Sequence, residues 1–159
     1  MVFGFGKKKV ELRAPFAGEL VALVDVPDQL FSEKMLGDGF AIRPAKDVEV
    51  VEVVAPCAGK LSRVFNTKHA FAMVSDEGLE MLVHIGLETV ELAGEGFEAL
   101  AATGDHVEAG QPVIRMDVAA VRAKGLDPVT PVVCTKAAQV AKMTVDESDD
   151  VPVCIVTLK

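Results

Sequence analysis

Two of the three histidines, His69 and His84, stand fifteen residues apart where short apolar runs open or close. Imidazoles so placed can hold a metal, move a phosphoryl group or simply pack, because a histidine near its ordinary pKa changes charge easily around neutrality. In Leu79–Ile85 a period of two puts Leu79, Met81, Val83 and Ile85 on one face, the natural core face. Glu80, Leu82 and His84 then point the other way, and the run breaks at Gly86 before resuming with Leu87-Glu88-Thr89-Val90. A histidine at a strand end, beside a glycine and near an acid, is placed for phosphate or metal work. His69 follows Phe65-Asn66-Thr67-Lys68, where one strand closes and the next opens. A hairpin connection through Ser75-Asp76-Glu77-Gly78 brings the two strands side by side and the two rings near one another. Thr67, two residues upstream, can hydrogen-bond the His69 ring and fix its tautomer. His106 sits in the polar stretch Gly104-Asp105-His106-Val107-Glu108 and reads as an exposed turn histidine.

The elements that must position these rings are short. Apolar runs recur about every ten residues, closed by Gly, Pro or Asp, which predicts an all-β, antiparallel sandwich or barrel. Strands are expected at Leu20–Val24, Phe40–Arg43, Val48–Val54, Leu61–Phe65, Phe71–Val74 and Leu79–Ile85. Four more are expected at Pro112–Met116, Val132–Cys134, Ala141–Val145 and Val153–Leu158. Val48–Val53 alternates and then slips phase, the mark of a bulge or of a strand buried on both faces. A few short helices are expected at Asp28–Met35, Phe97–Ala102 and Val118–Ala123, the last capped by Lys124-Gly125. Residues 1–12 are expected to be a flexible tail, with Lys7–Lys9 beside Phe3 and Phe5, and residues 13–159 a single domain.

Two internal echoes run through this pattern. Ala14-Pro15-Phe16-Ala17-Gly18-Glu19-Leu20 returns as Ala55-Pro56-Cys57-Ala58-Gly59-Lys60-Leu61, and Gly37-Asp38-Gly39-Phe40 returns as Gly104-Asp105-His106-Val107. The first is an extended Pro entry, a Gly turn and an alternating strand, and the two echoes together favour a duplicated β unit in the manner of the hybrid motif of biotinyl and lipoyl carriers.

Composition sets limits on function. The net charge is −8, a balance that repels nucleic acid and anionic lipid and favours a basic protein partner. No apolar run approaches the roughly 20 residues of a membrane span, and nothing at the N-terminus has the form of a secretory signal. Cys57, Cys134 and Cys154 are odd in number and widely spaced, so they read as buried small hydrophobes in a reducing cytosol.

Val26-Pro27-Asp28, Phe31-Ser32-Glu33-Lys34-Met35, Gly37-Asp38-Gly39, Thr67-Lys68-His69-Ala70 and Leu82-Val83-His84-Ile85-Gly86-Leu87-Glu88 together resemble the glucose-family IIA components of the bacterial phosphoenolpyruvate-dependent sugar phosphotransferase system. The likeness runs from about Ala14 to Lys159 and includes Gly94-Glu95-Gly96-Phe97 and Thr130-Pro131-Val132-Val133. It implies a cytoplasmic phosphotransferase with a phosphohistidine intermediate. His84 would take a phosphoryl group through Nε2 from the histidine phosphocarrier protein HPr and pass it to the cysteine of a IIB domain, its Nδ1 held by a carbonyl around Gly86. His69 would be the second active-site histidine, needed for onward transfer, with Thr67 orienting its ring. Phe31, Met35, Leu36, Phe65 and Leu82 would form an exposed apolar ring, while Asp28 and Glu88 meet arginines of the donor. Glu88 stands where Asp is commoner, and Leu82 where Phe is often found. No cofactor is required by the resemblance; zinc held by His69 and His84 with an acid from a partner would be regulatory. Regulated transporters or metabolic enzymes are further implied partners, and the membrane is met only through the IIBC transporter.

Three alternatives use the same residues differently. A hybrid-motif zinc peptidase of the lysostaphin type would need three protein ligands, and its additional His-x-His is absent from the sequence. A biotin or lipoyl carrier would need a lysine at a hairpin tip, for which Lys34-Met35 and Lys142-Met143 are the faint candidates. A regulatory binding module would keep both histidines as structural residues.

Overall fold

The computed structural model describes residues 8–146 and 153–159. In chain order the strands open with β1 (Lys9–Arg13), β2 (Glu19–Ala22), β3 (Asp38–Arg43) and β4 (Val50–Val54). They continue with β5 (Gly59–Val64), β6 (Ala70–Ser75), β7 (Glu80–His84), β8 (Phe97–Ala99) and β9 (His106–Val107). The last are β10 (Pro112–Asp117), β11 (Thr130–Cys134), β12 (Val140–Asp146) and β13 (Val153–Leu158). Helix α1 (Gln29–Ser32) lies between β2 and β3, and α2 (Val118–Ala123) follows β10.

A seven-stranded sheet ordered β2-β3-β11-β7-β6-β5-β9 faces two three-stranded sheets, β1-β13-β12 and β4-β10-β8, across a shared apolar core. Every ladder is antiparallel. The fold is therefore the expected all-β sandwich with a few short helices. Its core takes the inward set of each strand, among them Phe40, Ile42, Leu61, Phe71, Met73, Met81 and Val83. Each such side chain contributes roughly 1.5–3 kcal/mol by leaving water. The interior strand β11 is buried at all five residues because α1 and the preceding 3-10 turn cover the far side of the large sheet. There Val21, Leu23, Val26, Phe31, Ala41, Leu87, Val129 and Val133 form a second, smaller cluster.

The first echo has a structural counterpart. The Arg13 amide donates to the Pro56 carbonyl at 2.8 Å, and the Val54 amide donates to the Pro15 carbonyl at the same distance. Arg13 and Val54 are the residues just before the two Ala-Pro pairs, so the duplicated segments clasp each other reciprocally. The phase slip expected within Val48–Val53 is not a bulge in β4, where Val50 to Val53 pair in regular register with Asp117 to Ile114; the bulge lies in β10 instead. Pro112 faces Val54 but Ile114 faces Val53, leaving Val113 as an extra residue in the partner strand.

Three expectations need correction. Residues 9–12 of the expected tail are strand β1, with Val10 and Leu12 buried against the core and Lys9, Glu11 and Arg13 outward. The charges of Lys9, Glu11 and Arg13 alternate with only two apolar residues and hid the period of two; Phe3, Phe5 and Lys7 lie outside the described residues. The helix expected at Phe97–Ala102 is instead β8 and a bend, because the Met116–Phe97 and Ile114–Ala99 pairings recruit it as the edge of a sheet. Finally, α1 holds only four helical residues of the Asp28–Met35 stretch and gives way to turns at Glu33 and Lys34.

Candidate functional site

Two adjacent strands bring the histidines together. In the β6–β7 ladder Ala70 faces His84 and Phe71 faces Val83, which sets His69 and His84 at the same end of the hairpin. The Ile85 amide donates to the His69 carbonyl at 2.6 Å and closes that end. Leu79, Met81, Val83 and Ile85 are all buried, so the period-two reading of this strand holds and His84 projects from the opposite face. The two ring centroids lie 5.2 Å apart at an interplanar angle of 77°.

Each ring is fixed through Nδ1. His84 Nδ1 lies 2.7 Å from the Gly86 carbonyl, which can only accept, so Nδ1 carries the proton and the Nε2 lone pair is free in the neutral ring. His69 Nδ1 lies 2.6 Å from the Thr67 hydroxyl. Burial is the main force on both pKa values. It pushes His69 down to about 4, with the neighbouring His84 and Arg63 adding to the effect. His84 is also lowered by burial, against opposition from the Gly86 carbonyl and the Asp28 carboxylate. Both imidazoles are thus held neutral at pH 7, the state a nitrogen nucleophile requires.

The turn after β7 has little freedom. Gly86 has φ of +78°, and a Cβ there would come within 2.6 Å of the Thr89 methyl group. The buried Thr89 hydroxyl donates to the Ile85 carbonyl at 2.6 Å. Glu88 follows with φ of +59°, exposed at the head of a 3-10 turn. Asp28 caps α1 by accepting from the Leu30 amide at 2.9 Å. Asp28 and Glu88 both line a cleft of about 610 Å³ that also includes Met35, Leu87 and Asp127.

The apolar surround differs from the expected ring in one member. Met35 is 65% exposed, and Leu36, Phe65 and Leu82 are partly exposed, but Phe31 is 1% exposed. As the buried anchor of α1, Phe31 packs into the second cluster and places its ring 5.2 Å from His84. The Phe65 ring centroid stands 5.4 Å from that of His69, and the Arg63 guanidinium carbon lies 4.1 Å from the Phe65 centroid. Val24 and Leu30 are exposed apolar residues from the same 3-10 turn and helix cover that sequence reading left out. The signal for Val24 was the apolar run Leu20–Val24, which overshoots its strand and ends in that turn. Thr89 and the Arg43–Asp127 ion pair, at 2.9 Å, were also missed, since nothing in their spacing announces a contact across 84 residues.

His106 is not part of this site. It reaches Asp76 at 2.9 Å on the turn at the other end of the β6–β7 hairpin, as its exposed-turn reading expects. Burial pushes the thiols of Cys57, Cys134 and Cys154 up to about 12, and all three are free and buried. Among the described residues no group of three or more His, Cys, Asp or Glu could hold a metal. None of their helices is long and apolar enough to cross a membrane.

A family model described as phosphoenolpyruvate-dependent sugar phosphotransferase system, EIIA 1, matches residues 10–140. The glucose-specific EIIA component of Staphylococcus aureus strain COL is 41% identical over 153 residues, covering 94% of this chain and 90% of that protein. The corresponding component of Staphylococcus epidermidis strain ATCC 12228 is 40% identical over 149 residues, covering 92% and 87%. Among solved structures, glucose permease IIA from Mycoplasma capricolum superposes with a TM-score of 0.81 at 36% identity, covering 98% of this chain and 99% of that one.

Proposed function

The chain belongs to the EIIA 1 family of the phosphoenolpyruvate-dependent sugar phosphotransferase system, and on that premise we propose that His84 Nε2 is its phosphoryl acceptor. A phosphocarrier role in sugar uptake is the family's activity; the acceptor residue, the phosphohistidine and the partners are inferred from the site. The observation that carries it is the Nδ1–Gly86 contact, which leaves the reactive lone pair on Nε2 of a neutral ring.

The Nε2 lone pair attacks the phosphorus of a phosphohistidine on HPr, forming one P–N bond as the donor's breaks. In the second step a thiolate of a IIB domain attacks the same phosphorus, and the P–N bond to His84 breaks. Such transfers depend on in-line positioning and charge stabilisation more than on covalent help. With the Thr67 hydroxyl donating to His69 Nδ1, His69 Nε2–H becomes a donor toward the phosphoryl oxygens. The Phe31, Phe65 and Leu82 surround keeps water from the labile P–N bond. Asp28 and Glu88 steer a basic donor. A cytoplasmic location fits this chemistry, and no described helix is long and apolar enough to cross a membrane. A zinc ion seated on His69 and His84 would need further donors from a partner and would block Nε2, which makes it regulatory.

Intact-mass analysis after incubation with phosphoenolpyruvate, enzyme I and HPr tests the reading. An acid-labile adduct of one phosphoryl group is expected on the wild type and on His69→Gln, and none on His84→Gln. An adduct that persists on His84→Gln would overturn the assignment.

A further inference from the structure

The peptide joining Gly86 to Leu87 is held at both ends. Its carbonyl faces His84 Nδ1 at 2.7 Å, and its N–H donates to the backbone carbonyl of Asp127 at 2.9 Å. Asp127 sits just before β11, and its side chain is itself pinned. One carboxylate oxygen accepts from the Val129 amide at 2.9 Å, and the other accepts from the Arg43 guanidinium at 2.9 Å. Arg43 ends β3, two strands from His84 in the sheet, and the pair is only partly exposed. An unbroken path thus runs from Arg43 through Asp127 and one peptide unit to the imidazole.

We propose that Asp127 and Arg43 are positioning residues for His84: by locking the Asp127 carbonyl they hold the Gly86–Leu87 peptide in the orientation that keeps the His84 proton on Nδ1. Without the lock the peptide can rotate, the Gly86 carbonyl leaves Nδ1, and the ring is free to move its proton to Nε2, where no lone pair remains to attack phosphorus. The guanidinium does more than neutralise Asp127. Its planar fork spans both carboxylate oxygens, with Nε 3.4 Å from the one that also caps Val129. Neither residue touches the reacting atoms, so both act through His84. The inference rests on His84 being the acceptor, yet the tautomer it describes is measured without any phosphoryl transfer.

The experiment is ¹⁵N NMR of the histidine rings at pH 7.5 in the full chain, together with the rate of phosphoryl acceptance from HPr. Wild type is expected to show one pyrrole-like nitrogen at Nδ1 and one pyridine-like nitrogen at Nε2 of His84. In Asp127→Ala and Arg43→Gln the two shifts should converge toward a tautomer average. Acceptance should fall about three- to tenfold, the loss of one hydrogen bond's worth of orientation. Arg43→Lys, which can still reach one carboxylate oxygen, should recover most of both signals, and the His69 shifts should stay unchanged throughout. Unaltered His84 shifts in folded Arg43→Gln would overturn the proposal, and so would convergence of His69 and His84 alike, which marks general loosening. If Asp127→Ala does not fold, the Arg43→Gln and Arg43→Lys pair decides alone. An adduct found away from His84 would sink the acceptor assignment while leaving the tautomer result to stand or fall separately.

Discussion

The two ends of the β6–β7 hairpin hold the same side chain in opposite electrostatic conditions. At the open end His69 is 7% exposed and His84 partly so, and burial drives both pKa values down. At the turn His106 is exposed, and its hydrogen bond to Asp76 raises its pKa, with Glu108 adding to the pull. One end keeps a lone pair available at neutral pH; the other favours a proton and a surface ion pair. Residue type is shared, so the chemistry is set by what the fold removes from water.

The strongest test of that contrast is substitution at each end. His84→Gln should abolish the phosphoryl adduct, because an amide nitrogen is no nucleophile, whereas His106→Gln should be phosphorylated at the wild-type rate. Intact mass reads both, and equal loss in the two variants would erase the distinction.

Next in size is the backbone. Gly86→Val adds a branched side chain at positive φ and within 2.6 Å of the Thr89 methyl, and should cost about 3–4 kcal/mol in chemical denaturation. Gly78→Ala, in the turn at the far end, meets nothing within 4 Å and should cost only about 1 kcal/mol, from its positive φ. Comparable losses would show that the His69–His84 end is no more tightly built than the turn.

Acid separates the two ends by sign. For His69 the folded value near 4 lies below the unfolded 6.5, so the unfolded chain binds more protons between them. Its contribution is present above pH 6.5 and is lost as pH falls toward 4, a change of roughly 2–3 kcal/mol. His106 has a raised folded value, so its small contribution is full below 6.5 and fades as pH rises through that value. Denaturation midpoints of wild type and His69→Gln from pH 7 to 4.5 should converge as pH falls. Parallel curves would contradict the burial argument.

The smallest expected effect is at Thr67. Thr67→Val removes the 2.6 Å contact to His69 Nδ1 and should slow transfer to a IIB domain about three- to tenfold, leaving acceptance by His84 nearly unchanged. A transfer rate unchanged in Thr67→Val would move the orienting role elsewhere.

Periodicity alone identified the core face of β7 and sent His84 outward, because alternation is a local property of an extended chain. The Ser75–Gly78 turn likewise implied that His69 and His84 would meet, and the Ala-Pro echoes implied a duplicated unit, whose two segments reciprocal hydrogen bonds join. The sequence did not disclose β1, whose two buried residues sit among charges, or β8, which is a strand only because β10 offers it an edge. Nor did it disclose that Phe31 lies under the site and not around it, or that Asp127 and Arg43 reach the His84 turn. Spacing records which neighbours a residue has along the chain. The tautomer contacts at Gly86 and Thr67 are local, but burial and what backs the His84 turn depend on distant neighbours such as Phe31, Arg43 and Asp127, and those meet it only once the sheets have packed.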